Sequence, residues 1–451
     1  MSSAHPGAAS RREIVWVGAL VLFATLRVAL SAAAFPFFAN VDEQKHVDMV
    51  LKYARGYLPE PGRDAYEPEM GRLLGLYGSP EYLLLPGEPT PSPAWRRTAN
   101  AMLGVIEASE RFLAERANKE AEQPPAYYAL AAAWLWLGRG LELSGAGLLY
   151  FVRGLGALVA GALVYVAWRL VRDPYRDETL VRRGVPLLAA VFPQDTLFYV
   201  TPDVLSPLAG GLGFALALRL ARRPESGSGV YAAAGLVLAA ALLTKWTNAA
   251  VVAVAAAASL HALAHGARRQ PRFTAKLALQ WTLVLAPVAL WCLRSLRLYG
   301  DPTGSALKVA RLGWGRKPLA LWLDHPLFTP AGIFEFVTGL LPTFWRGELA
   351  WHRTDLALPA MDALYTVSSL VFLAAALAGL RRRAPERCLA EGLALAALAG
   401  AAALLALLSL AFVFDATTNP TASHPFFVQG RLVSGVLLPF LLVYVRGIDA
   451  A

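Results

Sequence analysis

CLAEGLALAALAGAAALLALLSLAFVF, from Cys388 to Phe414, is an apolar run built almost wholly from Ala, Leu and Gly. It exceeds the roughly 20 residues that a helix needs to cross the hydrocarbon of a bilayer. Immediately before it stand Arg381, Arg382, Arg383 and Arg387, and short basic loops of this kind mark the cytoplasmic feet of spanning helices. A membrane span with a basic foot is therefore the unit from which the rest of the chain is read.

The unit recurs in both directions. Further apolar runs lie at about 14–35, 145–171, 184–200, 204–220, 230–245, 248–265, 277–296, 357–380 and 432–445. Hydrophobic residues fill 56% of the 451 positions and charged residues 16%, where soluble domains carry about a quarter charged. The expectation is an all-α polytopic membrane protein: a single transmembrane domain over 1–451, with about 10–11 spanning helices. The net charge of +10 gathers in short loops, so it reads as topology and not as a nucleic-acid face. Cys292 and Cys388 are far apart and suggest neither a disulfide framework nor a thiolate metal site,.

Basic clusters follow or precede the runs at Arg11–Arg12, Arg169–Arg183, Arg219–Arg223, Arg268–Lys276 and Arg381–Arg387. With all of these inside, two long segments fall outside: a first outer loop at 36–125 and a second at 298–356, both expected to carry helices lying along the membrane surface. In the first, an amphipathic piece is expected near 96–120. In the second, half-length pieces are expected at 319–328 and 333–345. The run at 127–143 creates a parity problem, because a full crossing would put Arg169–Arg183 outside. It is therefore expected only to dip into the bilayer or to lie at its outer face. Positive charge before 14–35 also fits a signal peptide, but the length of the run favours a retained first helix.

Several charged residues sit at the outer ends of these runs. Asp42 and Glu43 follow the first span, with His46 close behind; adjacent acids repel unless a cation, a metal or solvent compensates them,. One can serve as a general base while the other orients it or holds a divalent metal, although on spacing alone a solvated helix start explains them better. Pro124-Pro125 leads into Tyr127 and Tyr128, which suit an interfacial belt,. Asp203 can be a helix cap. Lys245 can snorkel to headgroups or pair with a phosphate. Arg294 and Arg431, the latter in Gln429-Gly430-Arg431, put positive charge on the side where it is not expected, which favours a phosphate-binding role.

In their order and shared face these elements resemble the GT-C superfamily of membrane glycosyltransferases, in particular bacterial members related to protein mannosyltransferases and aminoarabinose lipid A transferases. The matching residues are Asp42, Glu43 and His46; Pro124, Pro125, Tyr127 and Tyr128; Asp203; Thr244 and Lys245; Arg294 ahead of Tyr299-Gly300-Asp301-Pro302; and Gln429 to Arg431. The resemblance implies transfer of a sugar from a polyprenyl-phosphate carrier to a glycan, lipid or protein acceptor at the outer face of a bacterial inner membrane. Asp42, Glu43 and Asp203 would be catalytic, and Lys245, Arg294 and Arg431 would hold the donor phosphate. His46, Tyr127, Tyr128 and Gln429 would support them, and a divalent metal, if used, would fall to Asp42, Asp203 and His46. The rival readings are a transporter or flippase of lipid-linked saccharides and a non-catalytic subunit of an envelope polysaccharide pathway. The mostly Ala, Leu, Val and Gly span centres weigh against transport, with Arg153 the exception,.

Overall fold

In the computed structural model, which describes residues 10–39, 42–79, 87–89, 96–265, 272–351, 354–413, 425 and 427–451, the first run is helix α1 (Arg11–Ala34). Arg268, Arg269 and Phe414 lie outside the described residues. Ser10 caps α1 by accepting the Glu13 amide at 3.2 Å, satisfying a donor that the helix leaves open. The first loop folds into α2 (Glu43–Ala54), α3 (Pro68–Tyr77) and α4 (Ala99–Ala114); α4 is the amphipathic piece expected near 96–120. Then come α5 (Ala126–Gly140), α6 (Gly145–Arg172), α7 (Thr179–Val191), α8 (Ser206–Arg222), α9 (Ser228–Thr244), α10 (Ala249–Ala264) and α11 (Phe273–Tyr299). The second loop holds α12 (Ser305–Arg311) and α13 (Pro330–Arg346), and α14 (Pro359–Gly379), α15 (Pro385–Ala411) and α16 (Leu437–Ala450) close the chain. Strand occurs among the described residues only as two-residue pairings, β1 (Gly315–Arg316) with β4 (Phe412–Val413) and β2 (Ala350–Trp351) with β3 (Thr354–Asp355).

The fold is that of an all-α polytopic membrane protein. Among the described residues eight helical stretches are long and apolar enough to cross a bilayer: α1, α6, α11 and α15, and α8, α10, α14 and α16 each taken with its adjoining 3₁₀ turn (Pro202–Arg222, Trp246–Ala264, Pro359–Arg382 and Gly430–Ala450). The larger number expected from the runs included α7 and α9, which with 13 and 17 residues are shorter than these eight stretches. α7 ends early because Pro193 follows Phe192, and a residue before proline is pushed out of helical geometry,. In the second loop the apolar stretch 319–328 is not a helix but two short 3₁₀ turns, Leu319–Leu321 and Pro326–Phe328, because Pro326 interrupts it.

α5 stays at one end of the bundle. Its N-terminal Tyr128 bonds His46 at 2.8 Å, and toward its C-terminus Trp136 Nε1 donates to the Ala54 carbonyl at 2.7 Å and Arg139 to Glu69 at 2.9 Å. Both ends of α5 thus rest on the first loop. The described basic feet converge on the other end: Trp168 donates to Glu13 at 2.9 Å, Arg387 to Glu178 at 2.6 Å, and Lys276 to the Ser226 carbonyl at 2.9 Å.

Small residues let the spans approach. A Cβ at Gly447 of α16 would stand 2.0 Å from the Phe372 carbonyl oxygen of α14, and one at Gly161 of α6 would stand 2.4 Å from the Thr25 hydroxyl of α1. In lipid such close backbone contact, and not hydrophobic exclusion, drives helix association. α11 and α14 turn bare leucines outward, among them Leu290 and Leu364, as lipid-facing helices do.

Candidate active site

Three chain breaks assemble the site. α9 stops at Thr244, and Lys245 takes an extended conformation, φ −160° and ψ 132°, before a 3₁₀ turn (Trp246–Asn248) opens α10. The buried Asn248 amide holds this break by donating to the Ala241 carbonyl at 2.8 Å and the Ser206 hydroxyl at 3.2 Å. Thr201-Pro202 starts a second 3₁₀ turn, with Thr201 capping it, so Asp203 is not the cap and its carboxylate is left free to point inward. The third break is Gly430–Val436. Gly430 lies so close to α13 that a Cβ there would sit 2.1 Å from the Phe344 nitrogen, and its amide donates to the Thr343 hydroxyl at 2.8 Å. That approach carries Arg431 into the bundle.

These breaks meet on Asp203. Its buried carboxylate accepts Lys245 Nζ on Oδ1 and Arg431 Nη1 on Oδ2 at 3.2 Å, while Arg431 Nε binds Glu348 of the second loop. A carboxylate gripped by two cations is a poor proton acceptor. Asp203 therefore holds Lys245 and Arg431 together and is ill suited to act as a base itself,.

Asp42 is arranged differently. It adopts left-handed backbone geometry, φ 63° and ψ 19°, ahead of α2 and makes no capping hydrogen bond; aspartate tolerates this conformation better than most residues. Its side chain is 40% exposed and pairs with Lys45 at 2.6 Å. Burial opposes its ionisation, yet Lys45, with His46 and Arg431 behind it, holds the carboxyl below its usual range. His46 is buried, and that burial pushes its pKa down to about 4 in spite of Glu120, Asp42 and Asp203 nearby. The imidazole is thus neutral at pH 7, and its Nδ1 shares a hydrogen bond of 2.8 Å with the Tyr128 hydroxyl. Tyr127 lies buried beside Tyr128, with ring centroids 5.6 Å apart.

Two residues from the expected set go elsewhere. Glu43 is 1% exposed and saturated: Arg153 donates to both of its oxygens, the Phe38 amide to Oε2 at 2.9 Å and the Val200 amide to Oε1 at 3.1 Å. Arg153 also donates to the carbonyls of Ala32, Phe35 and Pro36, at 2.7–2.9 Å. The pair clamps the end of α1 to α6, which accounts both for Glu43 and for an arginine inside an apolar helix. Arg294 donates to the Pro59 carbonyl at 2.6 Å and lines a separate cavity of about 240 Å³ with Tyr57, Leu58, Glu60 and Arg63; it does not touch Asp203. Gln429 is half-buried beside Gly430. Among the described residues no group of three or more His, Cys, Asp or Glu side chains is placed to share a metal ion. Asp42, Asp203 and His46 are each turned to protein partners, so they do not fit a shared metal.

A cavity of about 750 Å³ opens between α3 and α4. Phe38, Leu74, Phe112 and Leu113 give it an apolar wall; its charged lining residues are Lys45, Arg97, Arg116, Lys119 and Arg311, all cationic. Lys45 both lines this cavity and pairs with Asp42.

A family profile described as "Predicted membrane protein (DUF2142)" matches residues 25–438. The chain belongs to the DUF2142 family. No curated protein and no solved structure matches it. The span shared with DUF2142 contains every residue of the cluster from Asp42 to Arg431.

Within this DUF2142 member the cluster also includes residues that sequence reasoning missed. Glu348 completes the Arg431 pair, and Lys308 binds both oxygens of Glu120 at 2.8 and 2.9 Å, close enough for Glu120 to act on His46. Glu122 is buried with neither carboxylate oxygen partnered, and burial raises its pKa to about 7. The one available signal was position: Glu120 and Glu122 stand just before Pro124-Pro125.

Proposed function

We propose that this chain is a glycosyltransferase that moves a sugar from a polyprenyl-phosphate donor to an acceptor hydroxyl at the outer face of a bacterial inner membrane. The observation that carries the reading is the meeting of Lys245 and Arg431 on Asp203, at the same end of the bundle as the partly exposed Asp42. The basic feet gather at the opposite end, which the positive-inside rule makes cytoplasmic.

In this mechanism Asp42, ionised at neutral pH, accepts the proton of the acceptor hydroxyl. The oxygen forms a bond to the anomeric carbon as the bond from that carbon to the phosphate oxygen breaks, which inverts the configuration. The departing lipid phosphate takes the electron pair, and Lys245 and Arg431 meet its growing charge. Donors fixed in advance where charge develops are the strongest single means of lowering such a barrier. Asp203 and Glu348 hold the two cations in place before the donor arrives. The cationic cavity beside Lys45 offers the acceptor a route to Asp42.

The test is an assay in membranes with labelled polyprenyl-phosphate sugars, comparing the native chain with Asp42→Asn and Lys245→Ala. Label reaching an acceptor with the native chain, and lost with either variant, supports the reading. Undiminished transfer by Asp42→Asn overturns the mechanism, and movement of the intact donor across vesicles without transfer would instead make the chain a flippase.

A further inference from the structure

The opposite end of the bundle carries a second polar cavity, of about 440 Å³, between α6 and α8. Tyr165, Val166, Leu212 and Leu216 give it an apolar wall; Arg169, Arg219, Arg222 and Arg223 line it as well, with Asp173 as the single acid. Asp173 is already paired with Arg172 at 3.8 Å. Arg222 spends one nitrogen on Glu386, but its Nε is buried without a partner. For the side chains of Arg169, Arg219 and Arg223 the described residues supply no ion pair. Four arginines around one cavity repel one another unless an anion lies between them.

Arginines at the last turns of two helices are favoured for a simpler reason, since they answer the negative end of the helix dipole and obey the positive-inside rule. That accounts for their presence at the helix ends but not for a cavity between them or for the orphaned Nε. The two helices supply graded chemistry. Leu212 lies seven residues, about 10 Å, above Arg219 along α8,, so an apolar slot leads down to a cationic end. Basic pockets between transmembrane helices on the cytoplasmic side suit anionic lipid headgroups, and the volume lies in the range of small-molecule sites.

We infer that the cavity between α6 and α8 binds an anionic glycerophospholipid of the cytoplasmic leaflet, its phosphate among Arg169, Arg219, Arg222 and Arg223 and its acyl chains along Tyr165, Leu212 and Leu216. The inference does not depend on the transferase reading, since the site is at the other end of the bundle.

The test is native mass spectrometry of the full chain in neutral detergent, titrated with phosphatidylglycerol, phosphatidylcholine or soluble glycerol phosphate. The native chain is expected to retain phosphatidylglycerol over phosphatidylcholine, and the double variant Arg219→Gln/Arg223→Gln to lose roughly thirtyfold in that affinity. Arg381→Gln, at the same end but outside the cavity, is expected to keep it. Equal retention of the two lipids, or an unchanged preference in the double variant, would overturn the inference. So would glycerol phosphate displacing the lipid at equal concentration, since the site would then take a soluble anion.

Discussion

Arg153 closes on both oxygens of Glu43, with Nε 2.7 Å from Oε1 and Nη2 2.6 Å from Oε2. The neighbouring Asp42, one residue earlier, pairs instead with Lys45, which lines the cationic cavity. Two adjacent acids are thereby set apart: one closes a joint between α1 and α6, the other stays partly exposed.

Removing the clamp is expected to damage folding and not chemistry alone. Arg153→Met leaves Glu43 buried and uncompensated, which costs about 3–5 kcal/mol. Thermal unfolding of the detergent-solubilised chain should show a clearly lowered Tm for Arg153→Met and an unchanged one for Asp42→Asn, whose ion pair is partly exposed and adds little stability. Equal Tm values for the two variants would remove the distinction between these acids.

Lys245 and Asp203 should couple strongly. Asp203→Asn leaves Lys245 and Arg431 facing one another with only Glu348 between their charges, and Lys245→Gln leaves Asp203 buried against Arg431 alone. Each single change should cost more stability than half of the double change, with an interaction energy of about 1–3 kcal/mol in a double-mutant cycle. Additive effects would mean that the pair is not formed.

Much of the fold is legible in the order of amino acids alone. The long apolar runs become the spans because their length and composition leave few alternatives, and Asp203, Lys245 and Arg431 stand out as charges at the ends of such runs. Glu348, Glu120 and Lys308 do not, since acids and lysines are ordinary in polar loops and only tertiary pairing separates these from the rest. The difference between Asp42 and Glu43 is also hidden. Asp42 stands in left-handed geometry just before α2 and Glu43 is its first residue, and which of the two faces inward is decided by Arg153, more than a hundred positions away.

His46 and Glu122 should pull stability in opposite directions with pH. The folded-state pKa of His46 is lowered to about 4 from a usual value near 6.5, so its contribution is whole above 6.5 and is lost as pH falls through 4,. Glu122 is raised to about 7 from about 4.5, so its contribution is whole below 4.5 and is lost as pH rises through 7,. His46→Gln should flatten the loss of Tm on the acid side, and Glu122→Gln should raise Tm at pH 8 more than at pH 5. A Glu122→Gln chain whose gain is the same at both pH values would contradict the buried, protonated carboxyl.

Conservative exchange at Arg431 should not be tolerated. The guanidinium spans Asp203 and Glu348 at once, a geometry that a lysine ammonium cannot reproduce,. Arg431→Lys is expected to raise the KM for a polyprenyl-phosphate sugar by tenfold or more, roughly the worth of one charged hydrogen bond, while leaving the chain folded. An unchanged KM would remove Arg431 from the donor site.

The most direct measurement is release of free polyprenyl phosphate by the purified full chain in liposomes, given a labelled polyprenyl-phosphate sugar and a membrane extract as the source of acceptor. Release by the native chain is expected, with a fall of about 10²–10⁴ for Asp42→Asn, the usual contribution of a general base. Equal release by the native chain and Asp42→Asn would contradict this mechanism.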